Sequence, residues 1–288
     1  MTEYVCVSPQ FYGISLSINL NFNDFPRDLI ARIDPYRIHN ENNSKIKLKG
    51  IAVGNAFIDP ISYIDLGYLL YQLSLIDEQQ RQIFEEKEKE IKELIKNEQY
   101  STAFNKYNDD LFMDSSNNGK TFFNNFTGYD YYFNFIYSNQ GMGNDPFIRL
   151  LNKARIRRNL HVGRRRYVDN NDAVINAQVD DFLRSAKEML VIIMNNFKVM
   201  LYSGNSDIIV APVFNNRLLN KLQWKHKDAY LKSERKIWRS ENKGTVFGYV
   251  KKAYDFYEVI IRNSGHMVPE DKPEVAFQMI TKFVCNQL

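Results

Sequence analysis

The stretch KIKLKGIAVGN, Lys45–Asn55, changes character midway. Ile46 and Leu48 alternate with lysines, the period-two pattern of a strand with one wet face. The run GIAVG that follows is apolar on both faces. A strand of that kind belongs in a parallel sheet covered by helices on both sides. The segment KVMLYSGNSD, Lys198–Asp207, repeats the design: an apolar strand ending in a Gly-Asn-Ser-Asp turn. Near the C-terminus, VFGYVKKAYDFYEVIIRNSGH reads as two strands joined near Asp255. The fold class expected is α/β.

Helical patterns lie between and after these strands. Residues 61–113 repeat apolar side chains at three- and four-residue steps, with Ile83, Phe84, Ile91, Leu94 and Ile95 on one face. The charge run EEKEKEIKE lies opposite and reads as a solvated helix face. Residues 114–146 are rich in Asn, Gly, Asp and aromatic residues and read as a loop region. Val179–Phe197 is expected to be one helix with an apolar stripe. A helix follows from Pro212 to Leu222, then polar loops. PEVAFQMITKFVCNQ opens with Pro in a first helical turn and carries Val275, Phe277, Ile280 and Phe283 at helical spacing. Residues 1–45 give no clear pattern.

The bulk numbers narrow the function. The chain has 288 residues, 44% hydrophobic, 14% aromatic and 25% charged, which is a globular composition. A formal charge of +4 is mild for this length and does not by itself imply a polyanionic partner. Seven Lys or Arg fall between Lys153 and Arg166. A nucleic-acid patch and a basic helix end with a turn both fit. The second is preferred, since the rest of the chain is balanced and contains no RNA or DNA module. No apolar run approaches the roughly 18 residues of a membrane span. The opening MTEYVCVSPQFYG lacks a basic stretch followed by an apolar one, so no signal peptide is expected there. Two cysteines, Cys6 and Cys285, are too few for a disulfide framework but allow one bridge. Asn42 and Asn125 sit in glycosylation triplets. No paired His/Cys pattern, HExxH or phosphate loop appears, so neither metal nor cofactor is expected.

Two positions could carry chemistry. Asp207 and His266 each follow the C-terminal end of an apolar strand, the edge of a parallel sheet where ligands and catalytic groups gather. Acid before histidine is the second half of the Ser…Asp…His order of α/β-hydrolases. On spacing alone, a loop histidine such as His266 is more often structural or solvated than catalytic. His39 and His226 lie in polar loops, and His161 is expected to be buried near a helix end.

The segments KIKLKGIAVGNAFIDP, RIRRNLHVG, VMLYSGNSDIIVAP and the C-terminal VFGYVKKAYDFYEVIIRNSGHMVPEDKPEVAFQMITKFV together resemble the serine carboxypeptidases. YQLSLIDEQQ and LVIIMNNFKVMLYSGNSDIIVA are most similar to the vitellogenic-carboxypeptidase-like branch. The resemblance covers about Lys45 to Leu288. It implies the C-terminal part of an α/β-hydrolase fold, with a mostly parallel sheet and a helical lid insertion at about 61–190, all in a single partial domain over 1–288. It implies a serine-type carboxypeptidase that releases C-terminal amino acids from peptides by acyl-enzyme chemistry, in secretions or lysosomes. Asp207 then matches the triad aspartate, His266 the triad histidine, and Met267 a residue lining the pocket for the leaving amino acid.

The resemblance fails at the nucleophile. The family places it in Phe-Tyr-x-x-Gly-Glu-Ser-Tyr-x-Gly, ahead of the GIAVG strand. This chain reads FYGISLSINL from Phe11. Aligned without a gap, Ser17 takes the nucleophile position. Ser15 replaces the first glycine, Leu16 the glutamate that binds the substrate carboxylate, Ile18 the tyrosine and Leu20 the last glycine. An elbow serine needs a tight strand-to-helix turn, and side chains at the glycine positions oppose it. Loss of a nucleophile lowers the rate by about 10⁶-fold, about 8 kcal/mol of barrier. The family's first strands, one oxyanion glycine and the other carboxylate-binding residues would precede Met1. The chain is therefore expected to be inactive as written. The alternative is a catalytically dead homologue acting as a binding protein. GIAVG would then lie at an exposed sheet edge, which a second copy or another partner would cover.

Overall fold

The computed structural model describes residues 3–8, 14–17, 48–112, 121–139, 146–167, 172–241 and 244–288. Seven strands form one mixed sheet in the order β2-β1-β3-β4-β7-β6-β5. They are β1 (Glu3–Ser8), β2 (Ile14–Ser17), β3 (Leu48–Gly54), β4 (Lys198–Gly204), β5 (Arg235–Arg239), β6 (Val246–Ala253) and β7 (Phe256–Ile261). The central four, β1, β3, β4 and β7, run parallel. β2 is antiparallel to β1 on one side, and β6 and β5 close the other side as antiparallel strands. The α/β expectation holds, and GIAVG lies in the sheet as read. It is not an edge: β1 pairs beside β3, and among the described residues the outermost strands are β2 and β5.

Both faces of the parallel strands β3, β4 and β7 are covered. Every residue of β4 is buried. Val199 and Leu201 face one core together with Leu48, Ile51 and Phe256. Met200 and Tyr202 face a second core, shared with Tyr257, Val259 and Ile261. That alternation puts one hydrophobic layer on each side of the sheet.

Helices supply the cover. Between β3 and β4 the structure forms α1 (Pro60–Tyr63), α2 (Leu66–Gln72), α3 (Glu78–Lys96), α4 (Tyr100–Lys106), α5 (Phe122–Thr127), α6 (Pro146–Leu151), α7 (Ala154–Asn159), α8 (Asp172–Phe182) and α9 (Lys187–Asn196). After β4 come α10 (Pro212–Lys221), α11 (Lys227–Lys232), α12 (Val268–Asp271) and α13 (Pro273–Val284). α13 lays Val275, Ala276, Met279 and Phe283 on the second core. α3 starts at a capping box, in which Asp77 and Gln80 exchange side-chain to backbone bonds of 2.8 and 3.0 Å. Its inner face is Phe84, Glu88, Ile91 and Ile95, while Ile83 is 37% exposed.

Two further expectations need correction. The helix read across Val179–Phe197 is two, α8 and α9. The N–H of Ala186 is drawn to Ile58 O (2.8 Å) and Ser185 Oγ to Asp59 Oδ1 (2.7 Å), so tertiary bonds replace helical ones at the break. His161 is exposed, on a left-handed turn (φ 56°) after α7. Its neighbours Leu160 and Val162 are also exposed, so no core is there to receive it. Cys285 is a free, exposed thiol just past α13. His39 and Asn42 lie outside the described residues. Asn125 is exposed within α5, and Arg164–Arg166 form an exposed turn beyond α7.

Candidate active site

β4 and β7 are adjacent and parallel, with Gly204 opposite Ile261, so the loops that follow them leave from one edge. Backbone bonds tie these loops together. Asn205 N donates to Ile261 O (2.9 Å) and Ser206 N to Ser264 O (2.8 Å). Asn263, at φ 56°, turns its N–H onto Asn205 Oδ1 (2.8 Å). The loops thereby deliver Asp207 and His266 to each other across 59 positions of sequence. His266 Nδ1 lies 2.9 Å from Asp207 Oδ2. Both residues are buried, 4% and 1% exposed.

Asp207 is held from three sides. Oδ1 accepts the N–H of Val210 (3.0 Å), and Oδ2 accepts Asn55 Nδ2 (2.6 Å) in addition to facing His266. A carboxylate can only accept, so the proton of the pair belongs on Nδ1. That leaves the lone pair on Nε2, the state a general base requires. Nε2 is buried and makes no hydrogen bond among the described residues. The arrangement can orient an imidazole, take a proton at Nε2 and stabilise the imidazolium that results.

Aromatic side chains from the insertion between β3 and β4 cover the pair. The Phe133 ring stacks on the His266 ring, with centroids 5.2 Å apart and planes 17° apart. Phe133 O accepts the N–H of His266 (2.6 Å). Burial, with Asp271 and Glu270 as further causes, pushes the Tyr131 hydroxyl up to about 12. Tyr107 is raised further by burial, with lesser contributions from Tyr132 and Asp207. Both phenols are neutral across the physiological range.

The other sequence-predicted residues fall as follows. Met267 is half-buried beside His266, and its carbonyl accepts the N–H groups of Glu270 and Asp271 (both 2.9 Å), which starts α12. Ser17 ends β2, with its backbone in register opposite Val5 of β1. Ser8, which no sequence signal singles out, ends β1. Since β1 is parallel to β3, Ser8 lies on the sheet edge that also carries Asn55 and Asp207. Asn55 and Phe133 are site residues that sequence reasoning misses. For Asn55 a signal exists, since Asn directly after a buried strand suits a left-handed turn, and its φ is 48°.

Residues 33–286 match the serine carboxypeptidase family. The chain belongs to that family. It is 35% identical over 244 residues to a venom serine carboxypeptidase of Apis mellifera, covering 84% of this chain and 52% of that one. It is 35% identical over 260 residues to the probable serine carboxypeptidase CPVL of Homo sapiens, covering 89% of this chain and 53% of that one. It is 32% identical over 252 residues to the vitellogenic carboxypeptidase of Aedes aegypti, covering 86% and 53%. The chain thus spans about half the length of these curated relatives. A prohormone-processing carboxypeptidase of Saccharomyces cerevisiae superposes with a TM-score of 0.56 over 87% of this chain and 58% of its own, at 18% identity. That likeness shows the fold, an α/β-hydrolase fold as the resemblance implied. The family match begins at residue 33, earlier than the Lys45 expected, and takes in neither Ser8 nor Ser17. Among the described residues, no group of His, Cys, Asp and Glu could hold a metal, and no helix is long and apolar enough to cross a membrane.

Proposed function

We propose that this serine carboxypeptidase carries the acid–base half of a peptide-hydrolysing site, Asp207 orienting His266, and does not itself turn over peptide substrates. In that chemistry His266 Nε2 takes the proton of an attacking serine hydroxyl. It then returns the proton to the departing C-terminal amino acid, and water resolves the acyl-enzyme by the same route. The observation that carries the reading is the buried 2.9 Å contact between His266 Nδ1 and Asp207 Oδ2. In this reading Met267 lines the pocket for the leaving residue, and the helices of about 61–190 form the lid. A secreted or lysosomal destination agrees with the venom relative.

Two observations support inactivity. Ser17 ends β2, which runs antiparallel to β1, so it lies opposite Val5 and away from the sheet edge that carries Asp207. The position expected for the carboxylate-binding glutamate is Leu16, which has no polar group for that task. The test is an assay of the purified 288-residue chain on N-blocked dipeptides across the mildly acidic to neutral range. No release of the C-terminal amino acid is expected. Turnover that His266→Ala abolishes together with Ser17→Ala or Ser8→Ala would overturn the proposal and name the nucleophile.

A further inference from the structure

Residues Phe133–Phe135 lie across both loops of the acid–base pair. Phe135 N donates to Ser206 O (2.9 Å), next to Asp207, and Phe133 O receives the N–H of His266. Between them Asn134 is only 2% exposed. Its Oδ1 accepts the N–H of Ile136 (3.1 Å), which fixes the amide so that Nδ2 points at Asp271 Oδ2 (3.1 Å). The same Asp271 oxygen accepts the N–H of Gly265 (2.6 Å). Asp271 lies in α12, and its own N–H is bound to Met267 O. His266 is therefore flanked on both sides by backbone that Asp271 holds, and Asn134 is the link from that carboxylate to the segment overhead. The fit is close: a Cβ on Gly265 would come 2.0 Å from Phe133 O and 2.5 Å from Asn134 Cβ.

We propose that Asn134 is a positioning residue for His266, acting through Asp271 to lock the Phe133–Phe135 segment over the imidazole. The ring is thereby fixed from three directions. The Phe133 ring covers its face, the Phe133 carbonyl holds the His266 N–H, and Asp271 holds the residue before it. The acid fixes only Nδ1. With the ring held at both ends, Nε2 is fixed in direction and shielded from water. The role in catalysis rests on the proposed acid–base reading, but the geometry is testable without turnover.

The experiment breaks the link between the two residues. Asn134→Asp sets two carboxylates against each other, which repel at neutral pH. The readout is acylation of His266 by diethyl pyrocarbonate at about neutral pH, located by mass spectrometry, with the exposed His161 as internal reference. In the parent chain His266 is expected to react about tenfold more slowly than His161, or slower still. Asn134→Asp is expected to raise the relative rate at His266 by about tenfold or more. Phe104→Leu, a destabilising change in the insertion on the Phe182 contact, is expected to leave the rate at its parent value. Should Asn134→Asp fail to fold, Asn134→Ala removes the same link and carries the same expected rise. An unchanged His266 rate in a folded Asn134 variant overturns the proposal. So does an equal rise in Phe104→Leu, because Asn134 would then contribute general stability only.

Discussion

Asn55 Nδ2 donates at 2.6 Å to the carboxylate oxygen of Asp207 that lies 2.9 Å from His266 Nδ1. One oxygen thus serves two donors from two different strands' loops, and the acid is positioned before the histidine is considered. Asn55 can do this because its backbone sits in the left-handed region (φ 48°), with its N–H on Tyr202 O (2.8 Å). Asparagine tolerates that conformation better than most residues with a side chain.

Asn55→Ala should therefore cost about 2 kcal/mol, from a lost charge-assisted bond and a less tolerant residue at positive φ. Asn55→Asp should be worse than Asn55→Ala at neutral pH, where two buried carboxylates would face each other. It should recover as acidification lets the pair share a proton. Urea unfolding of both variants at neutral and mildly acidic pH checks the ordering. Equal stabilities of the two variants under both conditions would show that Asn55 does not touch the acid.

Gly265→Ala addresses the contact between the histidine loop and the segment above it. The added Cβ would come 2.0 Å from a backbone carbonyl, which cannot rotate away. A cost of about 3 kcal/mol is expected from the backbone shift required. Gly128→Ala is the control. Gly128 ends α5 at φ 72° with nothing within 4 Å of the added carbon, so only the conformational cost of about 1 kcal/mol applies. Urea midpoints for the two variants should separate clearly.

How much of this is readable in the sequence depends on the kind of burial involved. β3 and β4 declare themselves because strands covered on both faces are apolar throughout, and α13 because most of its stripe faces one core, although Phe277, read as part of that stripe, is 74% exposed. Asp207 and His266 are found from their place after such strands. β5 escapes because RKIWR is an edge strand with four of its five residues exposed, so no alternation marks it. β1 and β2 escape as short strands in a region of mixed pattern. Asn134 and Asp271 cannot be found from sequence: they meet across 137 positions, and neither belongs to a local motif. Glu88 looks like part of a solvated face. Only the packing of α3 against α2 turns it inward.

Lys198, at the start of β4, reaches the end of α13. Its ammonium bonds the carbonyl of Phe283 and Asn286 Oδ1 (2.6 Å) and lies 4.2 Å from the Phe283 ring centroid. A cation at a helix C-terminus satisfies carbonyls that have no helical partner and opposes the negative end of the dipole. Lys198→Met keeps the aliphatic bulk and removes the charge. A loss of about 1–2 kcal/mol is expected. Amide exchange should quicken in the last turn of α13 more than in its first. A loss spread evenly along α13 would show that the contact is packing alone.

Glu88 sets a pH dependence in the insertion. It is 1% exposed, on the inner face of α3, and its Oε1 accepts the N–H of Gly67 at 2.9 Å in the first turn of α2. Burial pushes its carboxyl up to about 7 from the ordinary 4.5, against the smaller opposing effects of the Gly67 N–H and Lys92. The folded state therefore holds this proton more tightly than the unfolded chain does. The stability it contributes is complete below about pH 4.5 and is lost as pH rises through about 7, an effect of up to about 3 kcal/mol. Glu88→Gln keeps an acceptor for Gly67 and cannot ionise. The variant should match the parent near about pH 4 and exceed it by about 1–3 kcal/mol at about pH 8. Chemical unfolding at steps across that range measures both curves. Parallel curves for the two proteins would mean that Glu88 does not titrate there.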